Sequence, residues 1–198
     1  MKNALSDRHS LHPNGAVHGR FQPLHNEHTK YIMGALERCR TLWIGLARHN
    51  IRDSISCASA KHREEKISNP LSFIERYLII EAVLLSEGIH HDRFRIVPFP
   101  IDEPDLMIDY IPVDTVCFTT IVDDWNRLKI DSLRKHGFNV ESLWENLSHV
   151  CSGKRIREYI LKDDLIWQTL VHPEAAKMIV QYNLRQRLID LSKDGNVL

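Results

Sequence analysis

Two short stretches of this chain concentrate side chains of the kind that handle phosphate. The first is His18-Gly19-Arg20-Phe21-Gln22-Pro23-Leu24-His25-Asn26-Glu27-His28. Glycine lets a loop backbone approach a ligand closely, a following helix N-terminus offers N–H groups with no partner inside the helix, and Arg20 adds a fixed cation. His25 and His28 are three apart at the start of that helix, on neighbouring faces from which both rings reach a ligand held at the terminus. Anion binding is the economical reading. Spacing taken alone favours a plainer one, with His28 a satisfied core histidine and Arg20 a solvated loop residue. Zinc is the minor reading, because protease helices use a four-residue His spacing around a Glu base and no third ligand is marked here. No metal ligand is therefore assigned to the protein.

The second stretch is Cys151-Ser152-Gly153-Lys154-Arg155-Ile156-Arg157. Three cations in the first turns of a helix oppose its macrodipole, an arrangement that a bound anion would neutralise. Ser152 as N-cap beside Gly153 makes a better phosphate cradle than an ordinary solvated basic face, which is the alternative. A third group, Thr119-Thr120-Ile121-Val122-Asp123-Asp124-Trp125-Asn126-Arg127, falls at the end of a predicted strand. There Trp125 can stack on a base, while Asp123 or Asp124 accepts a hydroxyl or a hydrated Mg²⁺. Asp124 reads equally well as a helix N-cap.

The elements that must position these residues alternate. A polar arm over residues 1–14, ending in the turn signal Pro13-Asn14-Gly15, precedes a single domain over 15–198. A short strand at Ala16-Val17-His18 leads into the first loop and a helix with the apolar stripe Leu24, His28, Ile32, Ala35, Leu36, Cys39. Thr41 to Ala47 reads as a buried parallel strand. The polar stretch from Arg48 to Asn69 reads as a substrate-side flap. Ser72 and Glu75 have capping-box spacing for a helix running to Gly88. Strands follow at Arg95–Pro100 and Thr115–Thr120, then a helix from Asp124 to His136 stopped by Gly137, a fifth strand over Phe138–Leu143, and C-terminal helices from Ser152 that restart at Pro173. This pattern predicts an α/β fold: a Rossmann-like, doubly wound parallel sheet of five strands, with ligands at the carboxyl ends near the switch in strand order.

Composition narrows the partners. Lys plus Arg and Asp plus Glu both number 26, so no broad field recruits a polyanion, and nucleic acid is not an expected partner. No apolar run approaches the roughly 20 residues of a membrane span, and the first residues lack the apolar core of a signal peptide, so no membrane is expected either. Cys39, Cys57, Cys117 and Cys151 are scattered without paired spacing, as suits reduced thiols and a cytoplasmic location.

Taken together, Gly19 to His28 and Ser152 to Arg157 resemble the paired signatures of the HxGH nucleotidyltransferase superfamily, in the look of the archaeal-type nicotinamide mononucleotide adenylyltransferases. The likeness extends through Asn69-Pro70 to Arg76 and the Gly137-Phe138 corner. It implies catalytic roles for His25, His28, Arg20 and Arg157, and nucleotide contacts for His18, Gly19, Phe21, Asp124, Trp125, Ser152, Gly153, Lys154 and Arg155. It also implies Mg²⁺ on the triphosphate and release of pyrophosphate. Two positions depart from the family pattern: its glycine in the His motif is Glu27 here, and its usual Thr in the late motif is Lys154. On the acceptor side, Pro98-Phe99-Pro100 and Asp123-Asp124-Trp125-Asn126-Arg127 look like a branch that includes cytidylyltransferase domains of phosphonate pathways. Phe99, Pro100, Tyr110 and Arg127 are the corresponding acceptor-binding candidates. The expectation is transfer of CMP from CTP to a small phosphonate or phosphate acceptor. ATP with nicotinamide or nicotinate mononucleotide is the alternative, a degenerate nucleotide-binding regulatory module is a second one, and a homo-oligomer is left open.

Overall fold

The computed structural model describes residues 11–48, 66–121, 124–145 and 151–194, with the side chains of 121, 124–129, 145 and 194 outside the description. Five strands, β1 (His12–Gly19), β2 (Cys39–Leu46), β3 (Phe94–Pro98), β4 (Val116–Ile121) and β5 (Asn139–Glu145), form one sheet in the order β3-β2-β1-β4-β5. Every pairing is parallel. The helices are α1 (Asn26–Leu36), α2 (Phe73–Ser86), α3 (Asp124–Lys135), α4 (Gly153–Leu161), α5 (Pro173–Gln181) and α6 (Leu184–Asp194).

Neighbouring strand residues feed opposite cores, which is how a parallel sheet is buried on both faces. Val17 and Phe118 join one cluster with Ile32, Ile79 and Ile156, from α1, α2 and α4. Ala16 and Cys117 join the other, with Phe99, Met107, Leu133 and Phe138. Crossovers therefore pass over one face before β3 and over the other after it. The reversal falls between β1 and β4, so the crevice at their carboxyl ends is where such sheets take ligands.

Local chemistry sets the boundaries. The Ser72 hydroxyl accepts the Glu75 N–H at 3.3 Å, and the Glu75 carboxylate accepts the Ser72 N–H at 2.8 Å, a complete capping box. Gly88 at φ +77 and Gly137 at φ +87 end α2 and α3, in backbone conformations that other residues rarely adopt. Pro173 opens α5, as its fixed φ favours.

The arm and turn read at Pro13-Asn14-Gly15 differ from the structure. β1 begins at His12, and Asn14 and Gly15 pair with Thr41 and Leu42. Pro13 is tolerated because the ladder to β4 starts only at Gly15, so its missing N–H costs no bond on that side. Residues 1–10 of the arm, and 49–65 of the flap, lie outside the described residues. Leu24 and Cys39 fall outside α1, Cys39 as the first residue of β2. No helix among the described residues is long and apolar enough to cross a membrane.

The C-terminal helices are tied to α2 by charge as well as apolar packing. Arg187 of α6 grips Glu75 with two bonds of 2.7 and 2.8 Å and donates to the Pro70 carbonyl at 2.9 Å. Burial would raise the Glu75 pKa, but hydrogen bonds from Arg187 and Ser72 outweigh it and hold the carboxyl below its ordinary value. Because the folded pKa is the lower one, the pair contributes stability above the unfolded value of about 4.3, and that stability is lost as pH falls through the folded value. Glu75→Gln should thus lower the urea midpoint at neutral pH and flatten its decline on acidification, as a pH series of unfolding curves would read.

Candidate active site

The loop after β1 is fixed by neighbours on both sides. Phe21 takes a left-handed backbone (φ 50), which turns its ring under Gly19, where an added Cβ would lie 2.9 Å from it. Gln22 is clamped to Leu71 at the start of α2: its amide donates to the Leu71 carbonyl at 2.8 Å and its oxygen accepts the Leu71 N–H at 2.9 Å. His25 has the extended backbone of an N-cap, yet its ring stacks on His28 at 3.6 Å and makes no capping bond. Phe21 meets the edge of His28 at 4.9 Å. The Tyr31 hydroxyl, donating to the Phe118 carbonyl at 2.5 Å, seats α1 against β4.

Arg76 of α2 is the most deeply buried cation among the described residues, at 1% exposure. Its guanidinium donates to the carbonyls of Arg20 (2.9 Å), Ala47 (2.8 Å) and Arg48 (3.0 Å), and its Nε to that of Ser72 (3.3 Å). The carboxyl ends of β1 and β2 are thereby held by one side chain. Burial first, and the charge of Arg20 second, bring its pKa down to about 10.

The late basic segment arrives from the C-terminal side. Ser152 caps α4 by accepting the Arg155 N–H at 3.3 Å. Gly153 lies flat on the first loop, and a Cβ there would sit 2.7 Å from the Gln22 carbonyl oxygen. Arg157 is 7% exposed and donates to that same oxygen at 2.5 Å. Burial, then repulsion from Arg20, lower its pKa to about 10, with Glu158 acting the other way. The charge of Arg20 therefore acts on both Arg76 and Arg157, and the two basic clusters of the sequence converge on the first loop. Lys154 and Arg155 are exposed, with the Arg155 guanidinium over the Tyr159 ring and its Nε bonded to the Tyr159 hydroxyl at 2.8 Å.

The other sequence candidates divide. His18 is half-buried and stacks on Phe99, 4.8 Å apart and nearly coplanar at 3°. Phe99 itself is 1% exposed, in space that Gly45 leaves open, so its ring supports His18 instead of facing an acceptor. Phe21, also at 1%, likewise backs His28 instead of offering its face to a nucleotide. Pro100 is buried, and Tyr110 is half-buried against the second core cluster. Asp124, Trp125 and Arg127 lie on the first turn of α3, beyond β4, and their side chains are outside the description, as is all of Asp123. An ion pair of 3.5 Å between Arg48 and Asp102 links the loops after β2 and β3.

Sequence reading missed Arg76, although the signal was present: it stands on the buried stripe with Ile79, Ile80 and Val83. It also left Glu27 undecided. The structure has the Glu27 carboxylate accepting the Cys151 N–H at 2.9 Å.

This chain is 39% identical over 146 residues to the phosphonoformate cytidylyltransferase of Streptomyces viridochromogenes, covering 74% of this chain and 79% of that protein. The fold matches a bifunctional NMN adenylyltransferase/ADP ribose pyrophosphatase from Francisella tularensis, with TM-score 0.70 and 18% identity over 94% of this chain. A second structure of such a protein from the same organism, complexed with AMP and a Mn ion, gives TM-score 0.64 and 16% identity, again over 94% of this chain. The chain spans about half the length of these bifunctional proteins, 54% and 53%. No model of a known protein family matches the sequence. A Rossmann-like sheet with the His pair and late basic helix at its switch point defines a nucleotidyltransferase of the HxGH superfamily. Within that class, the chain belongs to the family of phosphonoformate cytidylyltransferase.

A cluster of guanidiniums repelling one another is relieved by an oxyanion. Inorganic pyrophosphate well above its Kd should therefore raise the thermal midpoint by roughly 3–6 °C. Gly153→Ala, whose methyl would force α4 away from the Gln22 carbonyl, should lose most of that shift in the same melting assay.

Proposed function

We propose that this nucleotidyltransferase transfers CMP from CTP to a small phosphonate or phosphate acceptor and releases pyrophosphate. The observation that carries the reading is the convergence of Arg20, Arg76 and Arg157 beside the stacked His25–His28 pair at the carboxyl end of β1. The cytidylyltransferase relative from Streptomyces supports CTP, and its phosphonoformate substrate supports the acceptor class.

In this reading, an ionised acceptor oxygen attacks the α-phosphorus in line. A new P–O bond forms, the bond from the α-phosphorus to the bridging oxygen breaks, and pyrophosphate leaves with the electron pair. No general base is needed, because the acceptor is already an anion. The chain contributes alignment and stabilisation of the charge that grows on the leaving group. His25 and His28 donate to triphosphate oxygens, while Arg20, Lys154, Arg155 and Arg157 neutralise the β and γ groups. Arg157 has further N–H groups beyond the one given to Gln22. Arg76 acts behind them by fixing the loop. His18 and Gly19 border the nucleotide, and Ser152 and Gly153 present the amino end of α4 to it. Asp124 and Trp125 are candidates for the ribose and base, and Pro100, Tyr110 and Arg127 for the acceptor side.

Among the described residues no group of three or more His, Cys, Asp or Glu side chains could hold a metal ion. The side chains gathered at the loop are cations suited to oxyanions, so Mg²⁺ fits as an ion carried on the triphosphate. When bound there, it adds charge neutralisation between phosphate groups.

Purified protein with Mg²⁺, tested with CTP and ATP against phosphonate and mononucleotide acceptors, should release pyrophosphate fastest with CTP and a small phosphonate. Release only with ATP and a mononucleotide would replace this reading, and nucleotide binding without release under any pairing would favour a regulatory module. His28→Ala and Arg157→Ala should each lower kcat by a factor of about 10² or more if they stabilise developing charge. Full rates in both would remove the phosphate cradle.

A further inference from the structure

We infer that Glu27 is a positioning residue that docks the basic helix α4 onto the His-pair loop before nucleotide arrives. The inference rests on the functional reading above. Glu27 Oε1 accepts the main-chain N–H of Cys151 at 2.9 Å, across 124 positions of sequence. Cys151 directly precedes Ser152, the N-cap of α4, so this bond fixes the point from which the basic helix departs. Two other ties lie along the same seam, and a third joins the start of α1 to Thr169, beyond the end of α4. The Asn26 amide donates to the Thr169 carbonyl at 3.1 Å, Gly153 lies against the Gln22 carbonyl, and Arg157 donates to that carbonyl.

Electrostatics explains why a carboxylate stands here. Glu27 occupies the first turn of α1, where the helix dipole favours negative charge, and it lies beside the amino end of α4, where the same holds. The elements it joins both carry cations, Arg20 on one side and Lys154, Arg155 and Arg157 on the other, and Arg20 already repels Arg157. Drawing these parts together without ligand requires a counter-charge at the seam. The Cys151 thiol registers its proximity: burial chiefly, then the charge of Glu27, push its pKa up. Removing the carboxylate leaves the cations in place but makes the incoming triphosphate supply the ordering of α4. Such a cost enters the affinity for nucleotide and largely spares the in-line step.

Two readings test this: hydrogen exchange at the Cys151 amide in ligand-free protein, and steady-state kinetics with CTP and Mg²⁺. Glu27→Ala should speed exchange by about ten-fold and raise KM for CTP by about ten-fold, with kcat falling less than about three-fold. Glu27→Gln, which keeps a neutral acceptor, should fall between wild type and alanine in both. Exchange and KM unchanged from wild type would overturn the assignment. So would a fall in KM, which would make the carboxylate a mere repeller of the polyanion. Should the alanine variant not fold, the glutamine variant decides by the same two readings. Should wild type turn over no triphosphate, the functional reading fails by itself, and exchange together with calorimetry of inorganic pyrophosphate still decides the role of Glu27.

Discussion

A guanidinium taken out of water must find oxygen acceptors, and Arg76 finds all of its described ones on the main chain. No carboxylate among the described residues pairs with it, so its charge stays available to the electrostatics of the crevice while its hydrogen bonds set the shape of two loops. Breaking a buried charge away from its acceptors is among the costliest single changes in a protein. The chain just past β1 and β2, at Arg20, Ala47 and Arg48, is consequently tied to the core through one side chain. Arg20 and Arg157 then take their places against an already rigid frame.

Around that frame the histidines are supported in layers. Phe99 underlies His18, Phe21 abuts His28, and His28 underlies His25. Gly45 and Gly19 leave the room these rings occupy. The aromatic rings thus define the orientation of the histidines, and in the proposed function that orientation would be a form of preorganisation. Gln22 occupies the centre of this construction. Its side chain holds Leu71, and its carbonyl accepts from the Arg157 guanidinium at a place where only a glycine at 153 leaves room for the approach of α4.

Much of this was legible in the sequence, and the exceptions have physical reasons. The β-branched run at Thr115–Thr120, the Ser72/Glu75 capping box and the glycines at 88 and 137 act locally, so local reading found them. The start of β1 was hidden because Pro13-Asn14-Gly15 is turn chemistry in isolation, and only pairing with β2 draws it into a strand. Arg76 was hidden because a cation on an apolar helical face has meaning only once the carbonyls it meets are known. Phe21 and Phe99 were assigned toward ligands because sequence does not say which face of a ring is covered. Helical periodicity could have separated the late cations: Gly153, Ile156, Arg157 and Ile160 share the inward side of α4, while Lys154 and Arg155 face out.

The seam between the first loop and α4 has a consequence for biosynthesis. A nascent polypeptide emerging from the ribosome presents Gly19 to His28 early and can acquire Arg76 soon after, but the Gln22 carbonyl acquires its partner guanidinium only when residue 157 has been made. Until then the first loop lacks the side of its frame that α4 supplies. The contact between the first loop and α4 is therefore among the last of the described long-range ties that the growing chain can complete.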